Sequence, residues 1–307
     1  MICTSNIYLI KFRYKFFIIS PLKGIYIVHT IIARSLKALK KNLINSSGKK
    51  RVALVPTMGC LHKGHIALIN KSQKINCFTV VSIFVNPKQF NNKNDLTKYP
   101  SKEKEDIELL KKYKVDIIFI PKKEQIYPDD FGTYLNEIVY SNILCGKYRK
   151  NHFSGVATVV LKLFLIVKPD LAVFGEKDFQ QLFIIKKIVR DLNLDIKIIS
   201  IPTVRDKYGL AFSSRNKLLS ESHLKIARRI FQKINKPYGG TALYSKEIIT
   251  RIKKELKKNG VENIEYLEVR EANNLETPIK INYKRDTRVF IAIKLGKVRL
   301  IDNFKLK

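Results

Sequence analysis

The feature that most constrains this chain is a short apolar strand that leads through a Pro-Gly turn into two histidines. It occupies Val52–His65, with the sequence V-A-L-V-P-T-M-G-C-L-H-K-G-H. On the first turn of a helix, His62 and His65 face the same way because they are three residues apart. Gly59 and Gly64 leave room for a ligand, and a helix N-terminus supplies free N–H groups and a positive dipole. We interpret the segment as a nucleotide triphosphate site; the alternative is a strand, turn and helix whose histidines are merely exposed.

Apolar runs alternate with helical periods along much of the chain. Strands are predicted at Val52–Val55, Phe78–Val85, Val115–Ile120, Leu171–Phe174 and Ile196–Ile201. Helices are predicted between several of them, at Ile66–Gln73, Lys102–Tyr113, Val156–Val167 and Phe179–Leu192. This alternation predicts an α/β fold, a parallel sheet with helices on both faces. Ligands of such sheets bind beyond the carboxyl ends of the strands, where P-T-M-G, F-V-N-P and F-G-E-K-D fall.

The pattern changes after Pro202. Two lysine-rich helices are predicted at Glu221–Asn235 and Ser245–Asn259, followed by strands at Ile264–Val269, Val289–Leu295 and Val298–Ile301. These elements predict a smaller C-terminal α+β domain, so we divide the chain into residues 25–202 and 203–307. Residues 1–24 form an extension of unknown role. We favour a dispensable extension over a targeting peptide, because basic residues interrupt its apolar region and no small-residue cleavage site follows.

Three polar clusters lie near the predicted strand ends. Asn86 and Gln89 carry amides suited to a hydroxy acid, although either amide alone is typical of a loop cap. In G-E-K-D, Lys177 suits charge developing on a phosphate, while Asp178 either caps the following helix or helps to hold Mg²⁺. Ser213-Ser214-Arg215 offers two hydroxyls and a guanidinium, the groups of a phosphate clamp.

The net charge is unusual, since 59 Lys and Arg against 26 Asp and Glu give +33. The lysines are scattered along amphipathic helices, and Ile, Asn, Phe and Tyr are abundant, so drift toward AT-rich codons explains the excess. No aromatic platform or RNA-recognition signature accompanies the charge, and we expect no specific nucleic-acid partner. The cysteines form no C-x-x-C pair, which favours reduced thiols and a cytoplasmic location. No membrane partner is expected, because no apolar run reaches roughly 18 residues.

Five motifs follow one another in a recognisable order. They are P-T-M-G-C-L-H-K-G-H, V-S-I-F-V-N-P-K-Q-F, G-V-A-T-V-V-L-K-L-F, F-G-E-K-D-F-Q-Q-L and S-S-R-N. In this order they resemble the pantoate-beta-alanine ligases, the pantothenate synthetase family. The resemblance runs from about Ile25 to R-L-I-D-N at Arg299–Asn303.

The resemblance implies a Rossmann-like nucleotidyltransferase domain that binds nucleotide and pantoate, a C-terminal lid domain, and a homodimer. It also implies the reaction: pantoate and beta-alanine condense to pantothenate at the expense of ATP, through a pantoyl adenylate, with AMP and pyrophosphate as the other products. ATP is a substrate in this scheme, and Mg²⁺ assists.

Residue roles carry over from the family by position. His62 and His65 match positions on the ATP phosphates, and His65 matches the usual acid. With Lys177 we assign these two as catalytic, and we assign Asp178 to the metal. Gln89 and Gln181 match the pantoate-binding positions, Gln89 also touching beta-alanine, and we place Asn86 and Arg149 with these substrates. The implied ATP contacts are Met58, Gly59, Cys60, Leu61, His62, Lys63, Gly64, His65, Gly175, Glu176, Lys177, Asp178, Val204, Phe212, Ser213, Ser214 and Arg215.

Two departures from the family pattern and two other functions stay open. R-K-N-H-F at Arg149–Phe153 stands where many members have R-P-G-H-F, which bears on the loop geometry. Phe212 replaces a smaller or more flexible apolar residue near the nucleotide. One alternative is another H-x-G-H nucleotidyltransferase, which accounts for Val52–His65 but not for the paired glutamines. The other is a basic RNA-binding protein on an inherited enzyme fold.

Overall fold

A computed structural model describes residues 8–12, 15–19, 30–91, 93–97, 99–234 and 244–306. Much of the predicted extension 1–24 lies outside these ranges. Within it, β1 (Tyr8–Phe12) and β2 (Lys15–Ile19) pair antiparallel. The division of the remainder at residue 202 stays a prediction.

The main sheet of the described residues is parallel throughout. Its strands are β3 (Ile31–Ala33), β4 (Val52–Thr57), β5 (Phe78–Ile83), β6 (Ile117–Phe119), β7 (Leu171–Gly175) and β8 (Lys197–Ile201). They lie in the order β3-β6-β5-β4-β7-β8. The five predicted strands are confirmed, with ends that differ by one or two residues. The short edge strand β3 was not predicted, because three residues carry too little pattern to be recognised.

Helices cover both faces of this sheet, as predicted. They are α1 (Leu36–Ser46), α2 (Lys63–Lys74), α3 (Lys93–Thr97), α4 (Glu103–Lys112), α5 (Lys123–Ile126), α6 (Cys145–Tyr148), α7 (His152–Val167) and α8 (Phe179–Asp191). Side chains of a strand alternate between faces, so Leu54 packs with α1, α7 and α8, while Ala53 and Val55 pack with α2 and α4. The α/β fold class is therefore confirmed.

The C-terminal region builds a second, antiparallel sheet. Its strands are β9 (Asn263–Glu271), β10 (Thr287–Leu295) and β11 (Val298–Lys305), in the order β11-β10-β9. One face packs against the amphipathic helices α9 (Glu221–Ile234) and α10 (Ser245–Lys258), two helices that were predicted. From the other face, Tyr266, Phe290 and Ala292 pack against α6, α7 and α8, so the second sheet contacts helices of the α/β region through apolar side chains.

Within the part of the chain that the structure describes, none of the helices is both long and apolar enough to span a lipid bilayer.

Candidate active site

A cavity of about 260 Å³ lies where β4, β5, β7 and β8 end, and the second sheet forms one of its walls. This is the edge of a parallel sheet at which ligands are expected. The predicted residues that line it are Met58, His62, Gly64, His65, Asn86, Gln89, Arg149, Gly175, Lys177, Asp178, Gln181, Val204, Phe212, Ser213, Ser214 and Arg215. Five predicted ATP contacts are not part of the lining, namely Gly59, Cys60, Leu61, Lys63 and Glu176.

The two histidines of H-K-G-H lie together at the start of α2. Their ring centroids are 4.0 Å apart. Nδ1 of His62 accepts a hydrogen bond from the Gly64 N–H at 3.1 Å, and Nδ1 of His65 accepts one from the His62 N–H at 3.2 Å. Because Nδ1 accepts in each ring, the neutral form carries its proton on Nε2. Each ring therefore retains an Nε2–H donor for a ligand in the cavity.

Both histidines are neutral at physiological pH. Burial, reinforced by the nearby Lys177 ammonium, lowers the pKa of His62 from 6.5 to about 4. Burial also lowers the pKa of His65 well below its usual value, with further contributions from His62 and Lys177. Bringing a polyphosphate into the cavity would oppose this shift, since anionic oxygens favour the imidazolium form.

A buried carboxylate that the sequence analysis did not single out fixes the turn before these histidines. Asp106 on α4 accepts hydrogen bonds from the Cys60 N–H at 2.7 Å and the Leu61 N–H at 2.8 Å. Gly59 has φ +79°, and a Cβ there would lie 3.0 Å from the Asp106 carboxylate. Burial raises the pKa of Asp106, while the two N–H bonds oppose that rise. Gly59, Cys60 and Leu61 thus fix the conformation of the loop without lining the cavity. In the sequence, the sign of this role of Asp106 is an acidic residue next to Ile107 on the apolar face of α4.

The G-E-K-D segment forms a 3-10 turn between β7 and α8. Lys177 and Asp178 line the cavity, and their charged atoms are 3.5 Å apart. The Asp178 carboxylate is 46% exposed and makes no cap hydrogen bond to α8. Of the two roles predicted for Asp178, the helix cap is therefore not formed. Glu176 points away from the cavity lining and pairs with Arg288 of β10 at 3.0 Å.

The amides after β5 form a connected, buried wall. Asn86 donates through Nδ2 to Gln89 Oε1 and to the Gly155 carbonyl, both at 3.0 Å. Its Oδ1 accepts from the Tyr127 hydroxyl at 2.8 Å. Gln89 Nε2 lies 3.0 Å from the sulfur of Met58, a weak acceptor. Asn86 thus begins the 3-10 turn Pro87–Gln89, as a loop cap does, and orients the Gln89 amide.

Arg149 and His152 support the same wall from the start of α7. The Gln89 carbonyl accepts from His152 Nδ1 at 2.8 Å and from Arg149 Nη2 at 3.2 Å. His152 Nε2 then accepts from Arg149 Nη1 at 3.0 Å. Burial, together with the Arg149 charge, lowers the pKa of His152 to about 3. The R-K-N-H-F departure keeps the turn, because Asn151 adopts φ +61°, a conformation that suits glycine and that asparagine tolerates.

The two glutamines of α8 divide into a structural and a free one. Gln180 is buried; its Oε1 accepts from the Cys145 N–H, and its Nε2 donates to the Tyr140 and Ile143 carbonyls. Gln181 lines the cavity. None of the described residues forms a hydrogen bond with the Gln181 side-chain amide, so its oxygen and its two N–H groups are all available to a ligand.

Ser213-Ser214-Arg215 opens a 3-10 turn, and all three residues line the cavity. The Ser214 hydroxyl donates to the Cys60 carbonyl at 3.3 Å, and Arg215 lies 3.3 Å from the Asp95 carboxylate. Tyr99 is a lining residue that was not predicted, and burial raises its pKa.

The Phe212 departure puts an aromatic ring beside the first histidine. The Phe212 and His62 ring centroids are 6.5 Å apart at an interplanar angle of 25°. Lys63 Nζ lies 5.7 Å from the centre of the same phenyl ring. The Phe212 N–H also donates to the carbonyl of Val204 at 3.0 Å. Phe212 and Val204 therefore belong to one paired segment of the cavity wall.

Comparison with known proteins agrees with this geometry. A sequence profile of the family Pantoate-beta-alanine ligase matches residues 29–305. A pantothenate synthetase from Thermosipho africanus is 43% identical over 280 residues, which is 87% of this chain and 96% of that protein. One from Clostridium novyi is 45% identical over 260 residues, 83% of this chain and 91% of that protein.

Solved structures agree as well. The pantothenate synthetase of Thermus thermophilus superposes with a TM-score of 0.83 at 34% identity, covering 90% of this chain and 99% of that one. A Francisella tularensis pantoate-beta-alanine ligase, complexed with beta-gamma ATP and beta-alanine, gives a TM-score of 0.77 at 39% identity, covering 90% and 98%.

Proposed function

The chain belongs to the pantoate-beta-alanine ligase family and joins pantoate to beta-alanine, and from that premise we propose how its residues divide an ATP-dependent, two-step reaction. The first step makes a pantoyl adenylate and the second makes the amide. The relative complexed with beta-gamma ATP and beta-alanine supports both as ligands of this chain.

One observation carries the proposal: a single cavity is lined by two chemically different sets of groups. His62, His65, Lys177 and the Ser213–Arg215 segment, which we call the phosphate end, supply N–H donors and positive charge. Gln89 and Gln181 supply amides, and with the residues that hold them they form what we call the amide end. A triphosphate needs the first set of groups, and a hydroxy acid that must be held by its hydroxyls needs the second. Another H-x-G-H nucleotidyltransferase would account only for the first set.

Adenylate formation takes place between the two ends. A pantoate carboxylate oxygen attacks the α-phosphorus of ATP, an O–P bond forms, and pyrophosphate leaves with the electrons of the broken bond. Lys177 and Arg215 offset the negative charge that grows on the departing group, and the Nε2–H groups of His62 and His65 donate to phosphate oxygens. No covalent enzyme nucleophile is required. The backbone N–H groups at the start of α2 add further donors.

Amide formation follows at the acyl carbon. The neutral amine of beta-alanine attacks that carbon, an N–C bond forms, and AMP leaves with the electrons of the C–O bond while the amine gives up a proton. The Gln89 amide, which its network holds in one orientation, positions the acyl group for this attack. Arg149 lies nearby, half-buried and without a carboxylate partner among the described residues, so it suits the negative charge of a substrate.

The donor set also fits Mg²⁺. This ion is commonly held by one or two carboxylates together with substrate phosphates. Two acids occur among the described lining residues, and Asp302 is already paired with Arg205. Asp178 remains, half-exposed beside the proposed phosphate site. When bound, Mg²⁺ neutralises charge on the triphosphate, and Asp178 is the residue that would hold it.

Several broader features belong to the same proposal. We expect a homodimer in the cytoplasm, without a specific nucleic-acid or membrane partner. Residues 25–202 would bind nucleotide and pantoate, and residues 203–307 would act as a lid, since the second sheet already forms one wall of the cavity. The role of residues 1–24 stays open.

Mass spectrometry of the products made from ATP, pantoate and beta-alanine tests the proposal. We expect AMP, pyrophosphate and pantothenate in equal amounts. Release of ADP and phosphate would overturn the adenylate mechanism. Pyrophosphate release that does not depend on pantoate would instead favour a nucleotidyltransferase with another acceptor.

A further inference from the structure

Asp302 and Asn303, the last two residues of the R-L-I-D-N segment, line the cavity. Asn303, on β11, is only 3% exposed. Its Nδ2 donates to the carbonyl of Glu176 at 2.7 Å and to the carbonyl of Lys177 at 3.0 Å. One side-chain amide of the second sheet thus holds two consecutive peptide groups of the turn that carries Lys177.

Arg288, on the neighbouring strand β10, completes the arrangement. Its Nη1 donates to Asn303 Oδ1 at 3.0 Å, and its Nη2 donates to the Glu176 carboxylate at 3.0 Å. The guanidinium carbon lies 4.3 Å from the centre of the Phe179 ring, at the start of α8. Asn303 is therefore fixed by its acceptor atom as well as by its two donor hydrogens.

Apart from the Asn303 bonds and the Glu176–Arg288 pair, little else fixes the turn. Asp178 supplies no side-chain cap, and among the described residues the Lys177 ammonium has one ion pair, with the half-exposed Asp178 at 3.5 Å. The direction in which Lys177 enters the cavity is thus set by its backbone. We infer that Asn303 is a positioning residue for Lys177, so that adenylate formation depends on the second sheet being docked. This inference rests on the proposed role of Lys177 at the phosphates.

Stability alone does not account for a buried amide and guanidinium here. The second sheet already packs on α6, α7 and α8 through apolar contacts, among them Phe290 against Phe179 with ring centroids 5.7 Å apart. Burying polar groups carries a desolvation cost that apolar residues of similar size avoid. What Asn303 adds is geometry, because its two hydrogens can be satisfied together only when the Glu176 and Lys177 carbonyls take one relative position.

Separate measurement of the two half-reactions tests the inference. Asn303→Ala should slow ATP- and pantoate-dependent pyrophosphate release by about ten- to a hundredfold, the scale of misplacing a catalytic group by about 1 Å. Amide formation from supplied pantoyl adenylate and beta-alanine should change by less than about threefold, since Lys177 serves the departing pyrophosphate. Equal losses in both half-reactions would indicate general damage to the fold and overturn the inference.

A double-mutant cycle identifies the partner through which Asn303 acts. In a Lys177→Ala background, Asn303→Ala should cause no further loss of adenylate formation, because the group that it positions is gone. Additive losses would show that Asn303 acts by another route. If Lys177→Ala alone left adenylate formation unchanged, the proposed role of Lys177 would fail. If Lys177→Ala slowed adenylate formation and Asn303→Ala did not, only the inference about Asn303 would fail.

Two further variants keep the test decisive. Asn282→Ala removes an exposed turn asparagine of the same C-terminal region, whose Oδ1 accepts a hydrogen bond from the Lys284 N–H, and it should leave both half-reactions unchanged. Asn303→Asp keeps the shape of the side chain but replaces the donor Nδ2 with an oxygen, which cannot donate to the Glu176 and Lys177 carbonyls. The neighbouring Arg288 guanidinium compensates the added negative charge. If Asn303→Ala does not fold, Asn303→Asp should give the same selective loss, and normal adenylate formation with it would overturn the inference.

Discussion

The two ends of the cavity differ in how their polar groups are held. At the amide end, the Asn86, Gln89 and His152 side chains bond to one another and to the backbone in a network. At the phosphate end, the described residues give the His62 and His65 rings hydrogen bonds from backbone N–H groups, and they give the Lys177 ammonium one ion pair, at 3.5 Å. The amide end is thus largely satisfied within the protein, apart from the Gln181 amide and Gln89 Nε2, which meets a weak sulfur acceptor, whereas the phosphate end keeps most of its donors and charge for a ligand.

This difference separates residues that shape the site from residues that meet the substrate. A buried polar group with all its partners inside the protein contributes to position, and its loss is felt through its neighbours. A group that retains donors meets its partner only when the ligand arrives, so its loss is felt in binding or in the transition state. The following variants test this separation, in order of expected effect.

The largest effect is expected at the phosphate end. Lys177→Ala and His65→Ala should each slow adenylate formation by roughly a hundredfold or more, the scale of losing one donor that stabilises developing charge. Rapid-quench measurement of pyrophosphate release in a single turnover checks this. Lys186→Ala, which removes an exposed lysine from the same helix α8, serves as the matched control and should be silent. Near-normal single-turnover rates with Lys177→Ala and His65→Ala would show that the phosphate end is misplaced.

A smaller and more selective effect is expected from the glutamines. Gln89→Ala and Gln181→Ala should each weaken the apparent affinity for pantoate by roughly 1–3 kcal/mol, the cost of leaving a buried polar group unpaired. ATP affinity, measured by calorimetry, should change little. The control is Gln232→Ala, at an exposed position of α9. Loss of ATP binding with normal pantoate dependence would move both glutamines to the nucleotide site.

The sequence predicted the parts of the fold that repeat a pattern. Long apolar strands and amphipathic helices show their period locally, so β4, β5 and β7 were found with nearly correct ends. The strand β3 and the helix α1 were missed; β3 has three residues and only Ala33 among them is fully buried. The start of α7 was also placed too late, at Val156 instead of His152, because R-K-N-H reads as a loop.

The candidate site was predictable where a motif names the groups that line the cavity, as at His62, His65 and Lys177. It was not predictable where a distant element holds those groups. Asp106 supports the histidine loop across 45 residues of sequence, and Asn303 reaches Lys177 across 126. A single sequence shows such residues only as one acid or one amide among many, because their role depends on tertiary packing.

A third prediction uses acid to probe the amide end. His152 is neutral when folded, with a pKa of about 3, whereas an unfolded histidine titrates near 6.5. The unfolded chain therefore binds more protons as the pH falls below about 6.5, and this histidine should remove about 2 kcal/mol of stability between pH 7 and pH 5. Denaturant unfolding at several pH values checks this against His152→Asn, which should flatten the slope. An unchanged slope would show that His152 is protonated in the folded state.

Protonation of a histidine at the phosphate end should be favourable, because there it should strengthen ATP binding. Burial and Lys177 hold the pKa of His62 at about 4, so the ring is neutral at pH 6 before ATP arrives. Triphosphate oxygens stabilise the imidazolium, raise the pKa and draw in a fraction of a proton, which makes ATP bind more tightly as the pH falls from about 7 toward 5.5. Calorimetry at pH 6 in buffers of different ionisation enthalpy measures this uptake. His62→Asn should reduce the uptake, while His152→Asn should not, because a proton on His152 would meet the Arg149 guanidinium instead of a phosphate. Equal proton uptake by His62→Asn and by the unchanged protein would contradict the comparison of the two ends, since it would mean that ATP leaves the His62 ring neutral.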